Sequence, residues 1–232
     1  MRTCEIGMGG SMSVRWKAFV DRVSVTIFIL AWTVMFVRIA PEIFSGGEWL
    51  AAFLGILGGY LLADFLAGSV HWIADRFFNP ETPILGPMLI APFRDHHGDA
   101  LGITRHDFYE ISGNNALVTI PVVILLAALP APVDFLTHFI VVLGASLTLS
   151  LFATNQFHCW AHSPSPPRLI RHLHTLGLIL TPKRHARHHR DNHDRAYCVT
   201  SGWLNPLLDR IRFFERLERI FAAAPRRRRR SI

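Results

Sequence analysis

Hydrophobic residues in this chain run in long unbroken blocks, not at the 3.6- or 2-residue period of a half-buried helix or strand. The first block extends from about Val23 to Ile39, behind Arg15, Lys17 and Arg22. Arg38-Ile-Ala-Pro41 reads as an interfacial exit, and no small-x-small cleavage site follows cleanly, so a retained helix is expected here and not a signal peptide. A second block, roughly Trp49 to Ile73, is rich in Gly and Ala, as closely packed membrane helices are. A third, Asn115 to Leu129, is short of the roughly 20 residues a bilayer requires. After a Pro130-Ala-Pro132 turn, a fourth runs from about Val133 to Phe157, forming a membrane hairpin with almost no loop. The pattern predicts an all-α integral membrane protein with about four transmembrane helices. Its expected parts are an N-terminal segment (1–22), a membrane domain (23–220) and a basic tail (221–232).

Charge sharpens this picture. Half of the 232 residues are hydrophobic and the mean hydropathy is +0.29, yet the formal net charge is +7. That charge lies outside the apolar blocks, much of it in Arg226 to Arg230, which favours an element facing anionic lipid over a nucleic-acid surface. Lys and Arg precede the first block, separate the second from the third, and follow the fourth, whereas 41–48 carries two Glu and no Lys or Arg. The positive-inside rule then puts both termini and the long middle loop in the cytoplasm, which agrees with four spans. The three cysteines, Cys4, Cys159 and Cys198, form no CxxC pair, so neither a disulfide framework nor a thiolate zinc site is expected.

The chain holds thirteen histidines, and most of them are sorted. His71 and Asp75 close the second block, His96, His97 and His106 lie in the middle loop, and His158 and His162 close the fourth. His185, His188, His189 and His193 follow. All fall on one side of the membrane. The i, i+4 spacing points His71 with Asp75, and His158 with His162, to one side of a helix, and His185-x-x-His-His189 is expected to present two or three imidazoles on one helical face. Imidazoles from several elements with a carboxylate suit iron, zinc or copper, and so many nitrogens favour two ions over one. HxxHH and HxxxH beside membrane helices are the signature of membrane di-iron oxygenases, so a histidine-rich di-metal cap on the cytoplasmic side is expected. His138 lies inside the fourth block and reads as a packing or lumenal-side residue, and His172 and His174 read as interfacial. Asp64, inside an apolar block, requires a partner, either a ligand imidazole or another helix.

These strings together resemble a known family. His71-Trp72-x-x-Asp75, Pro92-Phe-Arg-x-His-His97, Ile103-Thr-Arg-His-Asp-Phe108, Asn155-Gln-x-His158-x-Trp-x-His162, His185-x-x-His-His189 and Tyr197-Cys-x-x-x-Gly-Trp203-Leu-Asn205 occur in the order and with the gaps of the plasmanylethanolamine desaturases. That family includes the bacterial CarF proteins and, more distantly, a plastid phosphatidylglycerol desaturase. The resemblance covers about Leu54 to Glu218. It implies an O2-dependent enzyme that removes two hydrogens beside the ether oxygen of an alkyl-ether phospholipid, leaving the vinyl ether of a plasmalogen. It also implies metal roles for His71, Asp75, His96, His97, His158, His162, His185, His188 and His189, and catalytic roles for His106 and His193. Gly98-Asp-Ala100 departs from the animal members, which have Pro after the Asp.

Breaking an unactivated C–H bond exceeds the reach of side-chain acids and bases, so a redox metal must carry the chemistry, and the resemblance implies two iron ions with O2 as co-substrate. The expected partners are a membrane phospholipid and an external electron donor of cytochrome b5 or ferredoxin type, since the chain carries no flavin fingerprint or haem-attachment motif. Arg94 and Arg105 are candidates to hold phosphate. Desaturation or hydroxylation of an acyl chain is the alternative on the same ligands. A zinc hydrolase would be expected to carry HExxH, which is absent.

Overall fold

The computed structural model describes residues 9–45, 47–83, 86, 90–190 and 193–223. Among these no strand occurs, and four helices are long and apolar enough to cross a membrane. They are α1 (Gly9–Ser45), α2 (Trp49–Arg76), α4 (Phe108–Ala128) and α5 (Phe135–His162). Short helices occupy the connections: α3 (Ala91–Gly98), α6 (Arg168–Thr175), α7 (Pro182–His185), α8 (Asn205–Arg210) and α9 (Phe213–Ala223). The basic tail from Arg226 to Arg230 lies outside the described residues.

The third span is corrected. It starts at Phe108 and not at Asn115, giving a 21-residue helix of full crossing length. Asp107 caps it, its side chain accepting from the Glu110 N–H. The polar first turns conceal this start from a hydropathy reading. Helix α5 likewise runs on to His162, past the apolar limit at Phe157.

α1 packs along α4, α4 along α5, and α5 along α2. Small residues set these approaches. A Cβ at Gly55 would lie 2.9 Å from the Val142 Cβ, and one at Gly59 would lie 2.8 Å from the Leu147 N, so α2 meets the backbone of α5 directly. The opposite seam is filled by Val25, Phe28 and Met35 of α1 against Val123 and Phe152, with the Phe28 and Phe152 rings stacked at 4.2 Å. Polar ties cross the seams: Trp32 Nε1 donates to the Ala145 carbonyl, Ser146 Oγ to Ile56, and Asn115 Nδ2 to Leu151. Outward side chains such as Leu30, Val37, Phe53, Val118 and Leu125 are largely exposed, as a lipid-facing surface would be.

Between α7 and α8 the chain is irregular, yet Ala196 to Gly202 is buried. Irregular backbone at such depth persists only when its polar groups are paired. Asp64, with no exposed surface, supplies the pairing: Oδ1 accepts from the N–H groups of Thr200, Ser201 and Gly202, and Oδ2 from Leu204. Neither a ligand imidazole nor another helix is its partner. Asn205 brackets Cys198 from both sides, accepting from its N–H and donating to its carbonyl. Gly68 admits the loop, since a Cβ there would stand 2.6 Å from the Cys198 Sγ. Asp64→Asn keeps the shape but turns an amide N–H toward one or more of those donors. The variant is expected to lose about 2 kcal/mol or more of stability, read as a lower thermal midpoint in detergent, while Asp64→Glu shifts the loop as well.

Candidate metal centre

Four elements converge at the ends of α2 and α5. His71 and Asp75 come from the last turns of α2, His96 and His97 from α3, His158 and His162 from the end of α5, and His185, His188 and His189 from α7 and the turns after it. The nine fall into two adjoining groups. His96, His158, His162, His185 and His189 make one, and His71, Asp75, His97 and His188 the other. Within each group every prospective ligand atom lies within 4.8 Å of the rest.

The expectation that His185-x-x-His-His189 presents two or three imidazoles on one helical face is met in that His185 and His189 share one group, and corrected in that no single helix carries both. α7 ends at His185, and the chain continues in tight turns, with the His188 and His189 N–H groups both donating to the His185 carbonyl. His185 and His189 then face the first group and His188 the second. The doublet His96-His97 divides in the same way, its rings 4.4 Å apart. Consecutive residues on a helical turn point about 100° apart, so each doublet bridges the two groups.

The nitrogen contacts fit metal ions. His185 Nε2 stands 2.8 Å from His158 Nε2, 2.8 Å from His162 Nε2 and 2.9 Å from His189 Nε2. A neutral imidazole has one N–H, so these contacts cannot all be hydrogen bonds. Metal–nitrogen bonds of about 2.1 Å set neighbouring ligand nitrogens about 3 Å apart, which is the spacing observed. In the second group His97 Nε2 and His188 Nε2 are 3.0 Å apart, and Asp75 Oδ2 lies 3.5 Å from both His71 Nε2 and His188 Nε2. His71 Nε2, His96 Nε2 and both Asp75 oxygens are buried without a hydrogen-bond partner.

Outer contacts fix the tautomers. His188 Nδ1–H donates to the Arg195 carbonyl at 2.9 Å and His71 Nδ1–H to the Tyr197 carbonyl at 3.2 Å, leaving each Nε2 lone pair aimed inward. His193 and Ala196 hold φ near +55°, a costly conformation for residues with a Cβ, on either side of the segment that presents the Arg195 carbonyl. Burial, reinforced by neighbouring imidazoles, lowers His96 to about 2, His97 to about 3 and His189 to about 4, and pushes His185 far down. His188 falls to about 3 through burial, against the opposing pull of its bond to Arg195. These imidazoles are therefore neutral, as histidine ligands must be.

The other expected site residues lie outside both groups. The His193 ring stacks on His97 at 4.0 Å. His106 is half exposed and its Nδ1 is 2.8 Å from Glu110 Oε1. His138 is buried in α5, with Nδ1 2.7 Å from the Asp134 carbonyl, and His172 is exposed. Arg94 is not free for phosphate: it donates to the carbonyls of Ala74, Asp75 and Phe78 and so caps α2 beneath the second group. Arg105 is paired with Asp99 at the surface. Tyr197, whose hydroxyl is buried and unpaired beside His71 and His188, carried no signal in the sequence beyond its place in a motif.

Acid is expected to unfold the metal-free protein. The folded histidines resist protonation down to about 4 or lower, whereas in the unfolded chain they protonate near 6.5. The unfolded state therefore binds more protons across that window, and stability falls as pH drops from 6.5 toward 4. Thermal midpoints of chelator-treated protein should be level above pH 7 and decline steeply below 6.5.

Comparison with known proteins agrees with this geometry. Residues 60–231 match the lipid desaturase domain. The chain is 44% identical over 178 residues to a plasmanylethanolamine desaturase of Myxococcus xanthus, covering 77% of this chain and 63% of that one. It is 41% identical over 175 residues to plasmanylethanolamine desaturase 1 of Mus musculus, covering 71% and 63%. It is 32% identical over 194 residues to the chloroplastic fatty acid desaturase 4 of Arabidopsis thaliana, covering 82% and 58%. The chain thus spans under two thirds of the length of these relatives, and no solved structure matches it. With the desaturase domain matched over most of its length, the chain belongs to the lipid desaturase family.

Proposed function

We propose that this chain is an O2-dependent, di-iron membrane enzyme that converts the 1-O-alkyl chain of an ethanolamine phospholipid into the vinyl ether of a plasmalogen. The observation that carries the reading is the pair of adjoining ligand groups at the membrane-helix ends, one of five imidazoles and one of three imidazoles with a carboxylate. The names of the Myxococcus and mouse relatives support the substrate.

The first group would hold one iron through His96, His158, His162, His185 and His189, and the second another through His71, Asp75, His97 and His188. The bound metals supply the redox chemistry with O2 that no side-chain acid or base can supply. Overall, loss of two hydrogens from adjacent carbons forms the double bond. Those hydrogens, with two electrons and two protons from outside, reduce O2 to two waters. The chain's own residues set the conditions. Carbonyls of Arg195 and Tyr197 orient His188 and His71. Asp75 brings negative charge to the second group only, so the two positions are electrostatically unequal. Arg94 fixes the end of α2 so that Asp75 keeps its place. His106 is oriented by Glu110 where solvent reaches, at the wall of the cavity beside His96, and His193 shields His97 from water by stacking on it.

Residues 23–220 would form one membrane domain, with 1–22 and the basic 221–232 on the cytoplasmic side beside the metal centre. The distribution of Arg and Lys supports that orientation. The two external electrons require a donor of cytochrome b5 or ferredoxin type. The plant relatives, named fatty acid desaturases, favour a second reading in which an acyl chain is desaturated.

The test is lipid mass spectrometry in a desaturase-deficient host supplied with a 1-O-alkyl phospholipid. Acid-labile vinyl ethers should accumulate with the intact chain and fall by at least about 100-fold with His188→Ala. Intact, iron-loaded protein that forms none would sink the ether reading, and a new acyl double bond would then establish the second.

A further inference from the structure

Beside the first ligand group lies a cavity of about 470 Å3. His96 forms part of its wall, and it opens between Lys17 of α1, the first turns of α4, Asn155 of α5 and the 3-10 turn at Gly102–Arg105. Its charged lining has both signs: Lys17 and Arg105 against Asp95, Asp99 and Glu110. His96 is 5% exposed, and its Nε2 has no hydrogen-bond partner.

We propose that this cavity seats a zwitterionic phospholipid headgroup, with Lys17 and Arg105 taking the phosphate and Asp95 and Asp99 a primary ammonium. The inference rests on the ether-desaturation reading above and specifies its substrate site. In a 1-O-alkyl phospholipid the first carbon past the ether oxygen lies six bonds from phosphorus, at most about 7 Å in extended form. A metal centre that acts there must have the headgroup bound next to it. An enzyme acting deep in an acyl chain would hold the headgroup far away. The cavity meets the ether case, because its polar wall includes a residue of the ligand group itself.

Its chemistry further selects the headgroup. Carboxylates accept hydrogen bonds from a primary ammonium, which a quaternary ammonium cannot donate. Quaternary ammonium is recognised instead by aromatic cages, and the cavity is lined by no Phe, Tyr or Trp among the described residues. Three carboxylates against two fixed cations also disfavour a headgroup of net negative charge. Lys17 is paired with Asp21, and Arg105 with Asp99, in the absence of lipid. Arg105 and Asp99 are both exposed, so exchanging that pairing for phosphate and ammonium costs little. Lys17, whose partner Asp21 is buried, keeps that pair and offers its remaining N–H donors to the phosphate. Asp95 makes no ion pair among the described residues. Pro92, Ile103 and Ile111 supply apolar wall for the glycerol and first methylenes.

The experiment compares iron-loaded, donor-coupled protein in vesicles containing 1-O-alkyl lipids with ethanolamine, choline or glycerol headgroups. The intact chain should form vinyl ether from the ethanolamine lipid preferentially. Asp95→Asn with Asp99→Asn should reduce the ethanolamine-to-choline ratio of kcat/KM by about tenfold, and Lys17→Gln should raise KM for all three lipids alike. Both carboxylates are exposed, and an unchanged melting midpoint and iron content would verify that the double variant folds. A preference unmoved by the double variant, or absent in the intact chain, would overturn the site. A second arm separates failure of the underlying reading. If the intact chain desaturates only acyl chains, the ether reaction is lost, and binding to detergent-purified protein decides the cavity. Glycerophosphoethanolamine should raise the melting midpoint of the intact chain and not of the double variant. An equal rise with inorganic phosphate would make the cavity a plain anion site and overturn the headgroup assignment.

Discussion

A single buried carboxylate underlies the arrangement of the metal centre. Asp64 sits midway along an apolar helix, where an ion without partners is costly, and it is fully enclosed. Its oxygens take four backbone N–H groups of the segment from Thr200 to Leu204. Those groups would themselves be unsatisfied without it. Each side of the contact thus removes the other's desolvation cost, so helix and loop are stable together and not separately. The loop it anchors is continuous with Tyr197 and Arg195, whose carbonyls orient His71 and His188. Along α2 seven residues separate Asp64 from His71, a rise of about 10 Å. One helix therefore carries both the anchor and the first ligand pair, and fixes the distance between them.

The ligand groups impose a second constraint of opposite sign. Neutral imidazole nitrogens packed at 2.8 to 3.2 Å cannot all pair with one another, and Asp75 is buried without a hydrogen bond. Bound metal ions would resolve both difficulties, drawing the lone pairs inward and neutralising the carboxylate. Folding and metal loading would then be coupled. Asp64 fixes the scaffold through backbone hydrogen bonds alone, whereas the histidines would gain their stability from bound metal.

Much of this was legible in the sequence because the signals were periodic or repeated. Membrane-long apolar blocks gave the helix count. The i, i+4 spacing of His71 with Asp75, and of His158 with His162, gave pairs that the structure indeed brings together. What escaped was set by tertiary partners. The start of α4 is polar, so hydropathy placed it seven residues late, although the Asp107 cap was available as a signal. The division of His188 from His185 and His189 depends on α7 ending at once, which HxxHH spacing does not reveal. Arg94 looked free for phosphate, yet the end of α2, distant in sequence from Arg94, left carbonyls for it to satisfy. Asp64 was recognised as needing a partner, but its partner is the backbone of a loop 136 residues and more away, and backbone has no sequence signature.

The depth of the metal centre carries its own argument about substrate. The ligands occupy the final turns of α2 and α5 and the elements just beyond them, not the middle of the bundle, and a mixed-charge cavity adjoins His96. A chain that placed its metals at mid-membrane would meet methylenes far from any headgroup. Under the proposed reading, metals held at the ends of the spans would meet the first carbons after the glycerol, where the ether oxygen also lies. Apolar surface along all four spans would leave the remaining tail in the bilayer, so the proposed reaction needs no tunnel long enough for the whole chain. Under the proposed reading, selectivity for the bond then follows from where the headgroup stops, and the carboxylates around the cavity act as a ruler whose zero is the ammonium group.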